Sequence, residues 1–294
     1  MIRSVFLFIF FIIAFPSFSQ NDLLNLLTED AENGTEFVTG TFKSTRIMNG
    51  HSVVRMPPGQ LDFRISHRFG TLNSGIYEFF GLDQSSIHFS LEYGILDWLM
   101  VGAGRGSFEK TYDGFAKFTI LRQSGGEHPM PVSVSVLSSI AANSLKWADP
   151  ERTNYFSSRL SYVNQLLIAR KFNQAFSLQV TPSFVHRNLV STVFDPNDLY
   201  SIGAGGRFLL TKRISFNAEY YYLINPSQNF SMEVHNPLSL GFDIETGGHV
   251  FQLIFTNSLA MIEKSFIGET TGSWLKGDIH FGFNISRVFT LNRK

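Results

Sequence analysis

From residue 60 to the C-terminus the chain is written in period two, and that alternation limits its folds more than any other feature. In Gly59–Gly70 (GQLDFRISHRFG), Leu61, Phe63, Ile65 and Phe69 alternate with Asp62, Arg64, Ser66 and Arg68. Side chains on a strand point to opposite faces, so this stretch has one apolar and one charged face. A soluble antiparallel sheet produces such a pattern with its apolar face inward. An outer-membrane barrel produces it with the apolar face on lipid and the polar face on the interior.

The spacing of the runs separates the two. Alternation predicts twelve strands, at 60–70, 84–94, 98–106, 113–122, 130–141, 155–171, 175–187, 200–212, 214–224, 238–245, 248–258 and 277–291. Connections after even-numbered strands are short, as at 95–97, 123–129, 172–174, 213 and 246–247, whereas 71–83, 107–112, 142–154, 188–199, 225–237 and 259–276 are mostly long. Short turns on one rim and long loops on the other are the habit of bacterial outer-membrane barrels, with the short turns periplasmic. A soluble sandwich has no reason to sort its loops by rim. Closure also removes the open sheet edges that lipid cannot hydrogen-bond. The expected fold is therefore all-β, a closed antiparallel transmembrane barrel of about twelve strands with a short N-terminal helix and extension.

Composition agrees with a lipid-facing surface. There are 31 Phe residues against 16 % charged residues, and Tyr93, Trp98, Tyr155, Tyr200 and Trp274 fall near strand ends, where aromatic girdles sit. Zero cysteines exclude disulfides, a thiolate metal site and a lipid-modified cysteine anchor. A formal net charge of zero, with both signs spread along the chain, gives no reason to expect a nucleic-acid partner.

At the N-terminus, Arg3, an apolar run from Val5 to Phe15 and Ser17-Phe18-Ser19 read as a secretory signal peptide, residues 1–19. Residues 20–58 form a periplasmic or lumenal segment, with a short amphipathic helix in 21–37 and a Pro57-Pro58 stop, and 59–294 form the barrel. The expected location is the outer membrane. Its partners are then the lipid, the barrel-assembly machinery, and a small solute or a periplasmic protein. The final strand ends in Val288-Phe289-Thr290-Leu291, like the aromatic-ended last strand by which bacterial barrels are recognised for assembly.

At residues 50–70, 79–106 and 110–123 the chain resembles a family of exported bacterial outer-membrane β-barrels described as a domain of unknown function. The resemblance covers most of the mature chain, most densely 37–140, and implies fold and location. It brings no activity or site residue to carry over.

Several residues suggest chemistry. His88-Phe89-Ser90 has the His-x-Ser spacing of outer-membrane phospholipases, which are also twelve-stranded. Those enzymes hold both residues on the lipid side, whereas Ile87, Phe89 and Leu91 claim that side here, and the Ser-Asn-Gly continuation is missing. A lipid-acting hydrolase is thus an alternative function, and a soluble periplasmic β-sandwich binding protein an alternative fold; no catalytic residue is assigned. Arg64, Arg68, His88, Glu92, Arg105, Lys117, Arg207, Glu219, Asp243 and His280 are expected to face the lumen, since a midplane Arg or Lys on the lipid side would cost about 2–4 kcal/mol. They would line a selective pore or neutralise one another as a plug. The near balance of signs favours the neutralising network.

Gly102, Gly104 and Gly106, and likewise Gly203, Gly205 and Gly206, lack the helix a phosphate loop needs and are read as room for bulky lumen neighbours. His51, His67, Glu78 and Asp83 lack metal-ligand spacing, so no metal or cofactor is expected. The expected function is non-enzymatic passage of a small solute, or an envelope scaffold.

Overall fold

Alternating strands that bury one face and wet or lipidate the other must close on themselves if no edge is to remain in lipid, and this chain does so. The computed structural model describes residues 35–126, 129–224 and 231–291; the predicted signal peptide and most of the predicted N-terminal helix lie outside them. Among the described residues, β1 (Glu36–Phe37) pairs with β6 (Ser124–Gly125) in a small sheet at one rim. The other twelve strands are β2 (Gln60–Thr71), β3 (Ser85–Leu96), β4 (Leu99–Gly106), β5 (Tyr112–Leu121), β7 (Ser133–Ala142) and β8 (Leu160–Lys171), followed by β9 (Phe176–Arg187), β10 (Asp198–Leu209), β11 (Ile214–Leu223), β12 (Leu238–Thr246), β13 (His249–Thr256) and β14 (His280–Thr290). Each pairs antiparallel with its sequence neighbours, and β14 pairs with β2 to close the barrel. That closure sets aside the sandwich.

The register puts Asp62, Arg64, Ser66 and Arg68 inside and their apolar neighbours outside. Outward aromatic side chains stack across strands, as Phe63 on Phe89 and Phe69 on Phe281, which is the favoured cross-strand arrangement on an apolar face. His67 lies on this outer face, stacked on Phe283 at 5.1 Å.

Some boundaries move from their expected places for local reasons. The strand expected at 155–171 starts at Leu160, because Phe156–Arg159 forms a 3-10 turn and Arg159 Nη1 donates to the carbonyls of Asn143 and Leu145. The strand expected from 130 starts at Ser133, since Pro131 has no N–H for the ladder. The last strand spans His280–Thr290 within the expected 277–291.

Two segments fill the interior. From the short-turn rim, residues 41–56 run up the lumen and are almost entirely buried. From the long-loop rim, the connection between β13 and β14 folds inward, and its helix α1 (Glu263–Gly268) is buried throughout. The alternation places 259–276 among the long connections of that rim. Apolar positions at 260–262 and 266–267, too many for a wetted loop, drive it inside instead.

Candidate functional site

The lumen is the candidate site, and its centre is a hairpin. Ile47 N–H donates to Gly50 O and Ser52 N–H to Thr45 O, both at 2.9 Å, so residues 45–52 form a tight hairpin with Met48, Asn49 and Gly50 at its tip. The tip amides point away from any strand ladder and would be orphaned in a dry lumen. Glu219 on β11 meets them, accepting N–H bonds from Met48 (3.3 Å), Asn49 (3.2 Å) and Gly50 (3.1 Å). Successive backbone N–H groups turned to one side make an anion cradle, and here the anion is a side chain of the wall. Gly50 has to be glycine, because a Cβ would lie 2.1 Å from Tyr221 Oη.

Other wall residues complete the grip through the hairpin backbone. Lys117 Nζ donates to the carbonyls of Ser52 (3.0 Å) and Val54 (2.6 Å). Gln179 accepts from Val53 N–H (2.9 Å) and donates to His51 O (2.8 Å), Gln252 donates to Ile47 O (2.9 Å), and Asn284 donates to Met48 O (3.0 Å). Arg68 Nη2 donates to Asn49 Oδ1 at 2.7 Å. On the other side, Ile47 and Val53 pack with Phe42, Leu167 and Ala169. Gly205 makes room for this contact, since a Cβ there would lie 2.5 Å from Ile47 Cδ1.

Another part of the wall behind the hairpin holds its charges in ion pairs. Glu92 accepts from Thr45 Oγ1 at 2.6 Å and faces Arg46 Nε at 3.4 Å and Arg64 Nε at 3.8 Å. Arg64 Nη2 also donates to Asp62 (2.8 Å) and Thr45 Oγ1 (2.7 Å). Arg46 Nη1 reaches Glu263 of α1 at 2.8 Å, so the two lumen-filling segments meet in an ion pair. His51 Nε2 lies 3.6 Å from the same carboxylate. Ion pairing here, and hydrogen bonds to neutral groups at Glu219, Lys117 and Arg68, offset the cost of burying charge. One cavity between the hairpin and the wall, lined by residues including Arg46, Asn49, Arg64, Arg68 and His88, is about 10 Å³, the size of about one water; a second, of about 320 Å³, lies nearer the short-turn rim between residues 38–57 and β5.

Of the ten expected lumen residues, Arg64, Arg68, Glu92, Lys117 and Glu219 thus converge on the hairpin. His88, Arg207, Asp243 and His280 also face inward but make other contacts. His88 Nε2 pairs with Asp113 at 2.7 Å, reaching across β4 over Gly104, where a Cβ would lie 2.6 Å from the imidazole. Asp243 accepts from Gln252 (2.9 Å), Arg207 Nη2 lies 3.4 Å from Gln174 O, and His280 Nδ1 lies 2.8 Å from Phe69 O.

Arg105 departs from expectation: it lies on the outer face, its guanidinium 5.7 Å from the Tyr112 ring. The β4 register puts Gly102 and Gly104 inside and therefore Arg105 outside. It is one residue from the outer end of β4, where a long side chain can carry its charge out of the hydrocarbon.

Sequence reasoning missed Arg46, Asn49, Gln179, Gln252, Glu263 and Asn284. A signal was present in Leu166-Leu167-Ile168-Ala169, an apolar run on both faces of a strand, which requires an apolar occupant inside the barrel as well as lipid outside. The hydrolase pair gains no support from geometry. His88 and Ser90 both face the occluded lumen, His88 Nε2 is held by Asp113, and Ser90 Oγ has no hydrogen-bond partner among the described residues.

A closed barrel with an apolar outer band and a polar, occupied lumen defines a membrane-spanning β-barrel protein. Residues 42–289 match the family model described as "Membrane bound beta barrel domain (DUF5777)", and the chain belongs to that family. A comparison with curated protein sequences finds no match. Among solved structures, the KdgM porin is similar at 8% identity, covering 78% of this chain and 99% of that one, with a TM-score of 0.46. An outer membrane channel from Pseudomonas putida F1 is similar at 11% identity, covering 80% and 97%, with a TM-score of 0.44. The Ralstonia pickettii toluene transporter TbuX follows at 10% identity, covering 88% and 96%, with a TM-score of 0.35.

Proposed function

We propose that this chain is a non-enzymatic solute conduit of the outer membrane, shut by its own N-terminal segment and opened when that segment leaves the lumen. The observation that carries the reading is the 45–52 hairpin, gripped through its backbone inside the barrel by side chains of the wall. The nature of the grip argues for displacement over permanent filling. A permanent core is best made of packed apolar side chains, whereas the wall behind the hairpin carries Glu92, Glu219, Arg64, Arg68 and Lys117. With the hairpin gone, water would solvate those groups and remove their burial penalty, leaving a hydrated, charge-lined path.

The test is single-channel conductance in planar bilayers, comparing the full chain with a variant lacking residues 41–56. Heat-modifiable gel mobility checks that both barrels are folded. The full chain is expected to be silent and the variant to show discrete steps. A folded but silent variant would end the conduit reading in favour of an envelope scaffold, whose partner would meet the rims and not the lumen.

A further inference from the structure

The cavity of about 320 Å³ near the short-turn rim lies at the joint between the N-terminal segment and the barrel. Residues within 38–41 and 53–57, the two legs on which the lumen hairpin stands, form one side of it. The other side is wall, made by Thr119 and Leu121 of β5, Arg122 just beyond that strand, and Ser133 at the start of β7. A molecule seated there would touch the segment and the barrel at once.

Two guanidinium-bearing residues line this single cavity, and among the described residues no carboxylate does. Arg122 lies 3.9 Å over the Phe37 ring and enters neither an ion pair nor a side-chain hydrogen bond among the described residues. Arg55, on the returning leg, has one partner, Asp97, at 3.3 Å through Nη2, and the Asp97 side chain is 81% exposed. Burial first, and then the repulsion of Arg122, push the Arg55 guanidinium below its ordinary value, and the pull of Asp97 is the weaker of the two charge effects. The two like charges therefore oppose each other across the joint.

The hydroxyls of the cavity are unspent as well. Thr119 Oγ1 is buried without a hydrogen-bond partner among the described residues. Ser133 Oγ accepts from Gln123 N–H at 2.9 Å and keeps its own proton to donate. The cavity is rich in donors and short of an anionic acceptor.

We propose that it binds a small aliphatic organic acid, a mono- or dicarboxylate held between Arg122 of the wall and Arg55 of the N-terminal segment, and that the bound acid fastens the segment in the lumen. Guanidinium forks match carboxylates two bonds at a time. Val38, Val53, Val54 and Leu121 suit a short hydrocarbon chain, which a bare inorganic ion would leave uncontacted. The volume falls in the range of small-molecule sites. A carboxylate between the two arginines turns their repulsion into a bridge. The fastening rests on the conduit reading, for which it names a closing signal; the binding does not.

Calorimetric titration of the detergent-purified full chain with succinate tests it. Binding is expected, and none for succinamide, its neutral analogue. Arg122→Gln and Arg55→Gln are each expected to weaken succinate about tenfold, or 1.4 kcal/mol, and because they lie on different elements, misfolding of one leaves the other as the test. Arg213→Gln, on the same rim but outside the cavity, is expected to change nothing. Equal weakening by Arg213→Gln would reduce the effect to the general charge of the rim, and tighter binding of inorganic phosphate than of succinate would deny the apolar wall a part. Either overturns the proposal, as does the absence of succinate binding. Glu127, outside the described residues, follows Ser124 by three positions; binding that emerges only in Glu127→Gln would give the site to the chain's own carboxylate and overturn the proposal too. In Arg46→Met, which loosens the segment, succinate is expected to shorten the open intervals, and unchanged intervals despite binding would overturn the fastening. A folded but silent hairpin-deletion variant, beside a parent that binds succinate, would overturn the conduit and leave the site standing.

Discussion

The hairpin at residues 45–52 and helix α1 enter one lumen from opposite mouths, and each combines apolar and polar contacts in a different balance. Polar side chains of the wall seize the hairpin by its backbone. The helix offers side chains of its own, Phe266 and Ile267, to a cluster of Val163, Val185, Leu199, Tyr221 and Leu223. An apolar contact of that kind resembles a protein core and loses its energy only when the whole surface is exposed. A set of directional bonds to charged wall groups can be exchanged, one by one, for water. The first arrangement suits a fixed constriction and the second a removable stopper.

The widest way to break that contrast is to remove the stopper outright. Deleting residues 41–56 should convert a silent barrel into a conducting one, whereas the wild-type helix should leave the outer mouth narrowed and the step size modest. Next comes the joint between the two segments. Arg46→Met leaves Glu263 without its guanidinium and costs Glu92 one of its two, a loss of about 3–5 kcal/mol. Urea titration of the gel-mobility shift should show it, with intermittent conductance as the companion signal.

Phe266→Ala is expected to cost about 3–5 kcal/mol through the cavity it leaves, with little dependence on salt. If its loss were instead abolished by raising ionic strength, the contrast between core-like helix and polar-held hairpin would fail. Glu219→Gln keeps one acceptor oxygen for the tip amides and should cost about 1–3 kcal/mol. Its signature is flickering conductance with a smaller shift of the unfolding midpoint than Arg46→Met.

The smallest effect belongs to the outer loops. Asp195 ties the β9–β10 connection to the β11–β12 connection through Ser231, and its carboxyl is depressed to about 2 from an ordinary value of 3.8. A depressed carboxylate contributes stability that is complete above its unfolded value and is lost as pH falls toward its folded one. Protease susceptibility of the β11–β12 connection should therefore rise between pH 3.8 and about 2 and stay flat above it. Asp195→Asn should remove that pH dependence.

How far the sequence led can be followed along particular residues. Leu61 to Arg68 announced a strand with a charged inner face, because period two is a local property that any four residues display. Loop lengths announced the two rims for the same reason. Arg105 misled, because Gly102, Gly104 and Gly106 carry no side chain to set the parity of β4, and Arg105 became the only charged residue by which to guess it. Arg46 and Glu263 lie 217 positions apart and carry no local sign that they touch. The apolar run Leu166 to Ala169 did signal something inside, without saying what.

The sequence by itself determined the strands, the inner and outer faces of all but β4, the lengths of the connections and hence the membrane-spanning barrel, since each follows from alternation and turn chemistry within a few residues. Only the tertiary structure decided what fills the charged lumen. A wall of Glu92, Glu219, Lys117 and Arg64 is equally consistent with an open pathway or a closed one. The choice depends on whether a distant segment brings amides, carbonyls and guanidinium groups to within about 3 Å of those charges. Residues 41–56 and α1 do so, and that proximity is a property of the closed barrel that no local stretch of the chain contains.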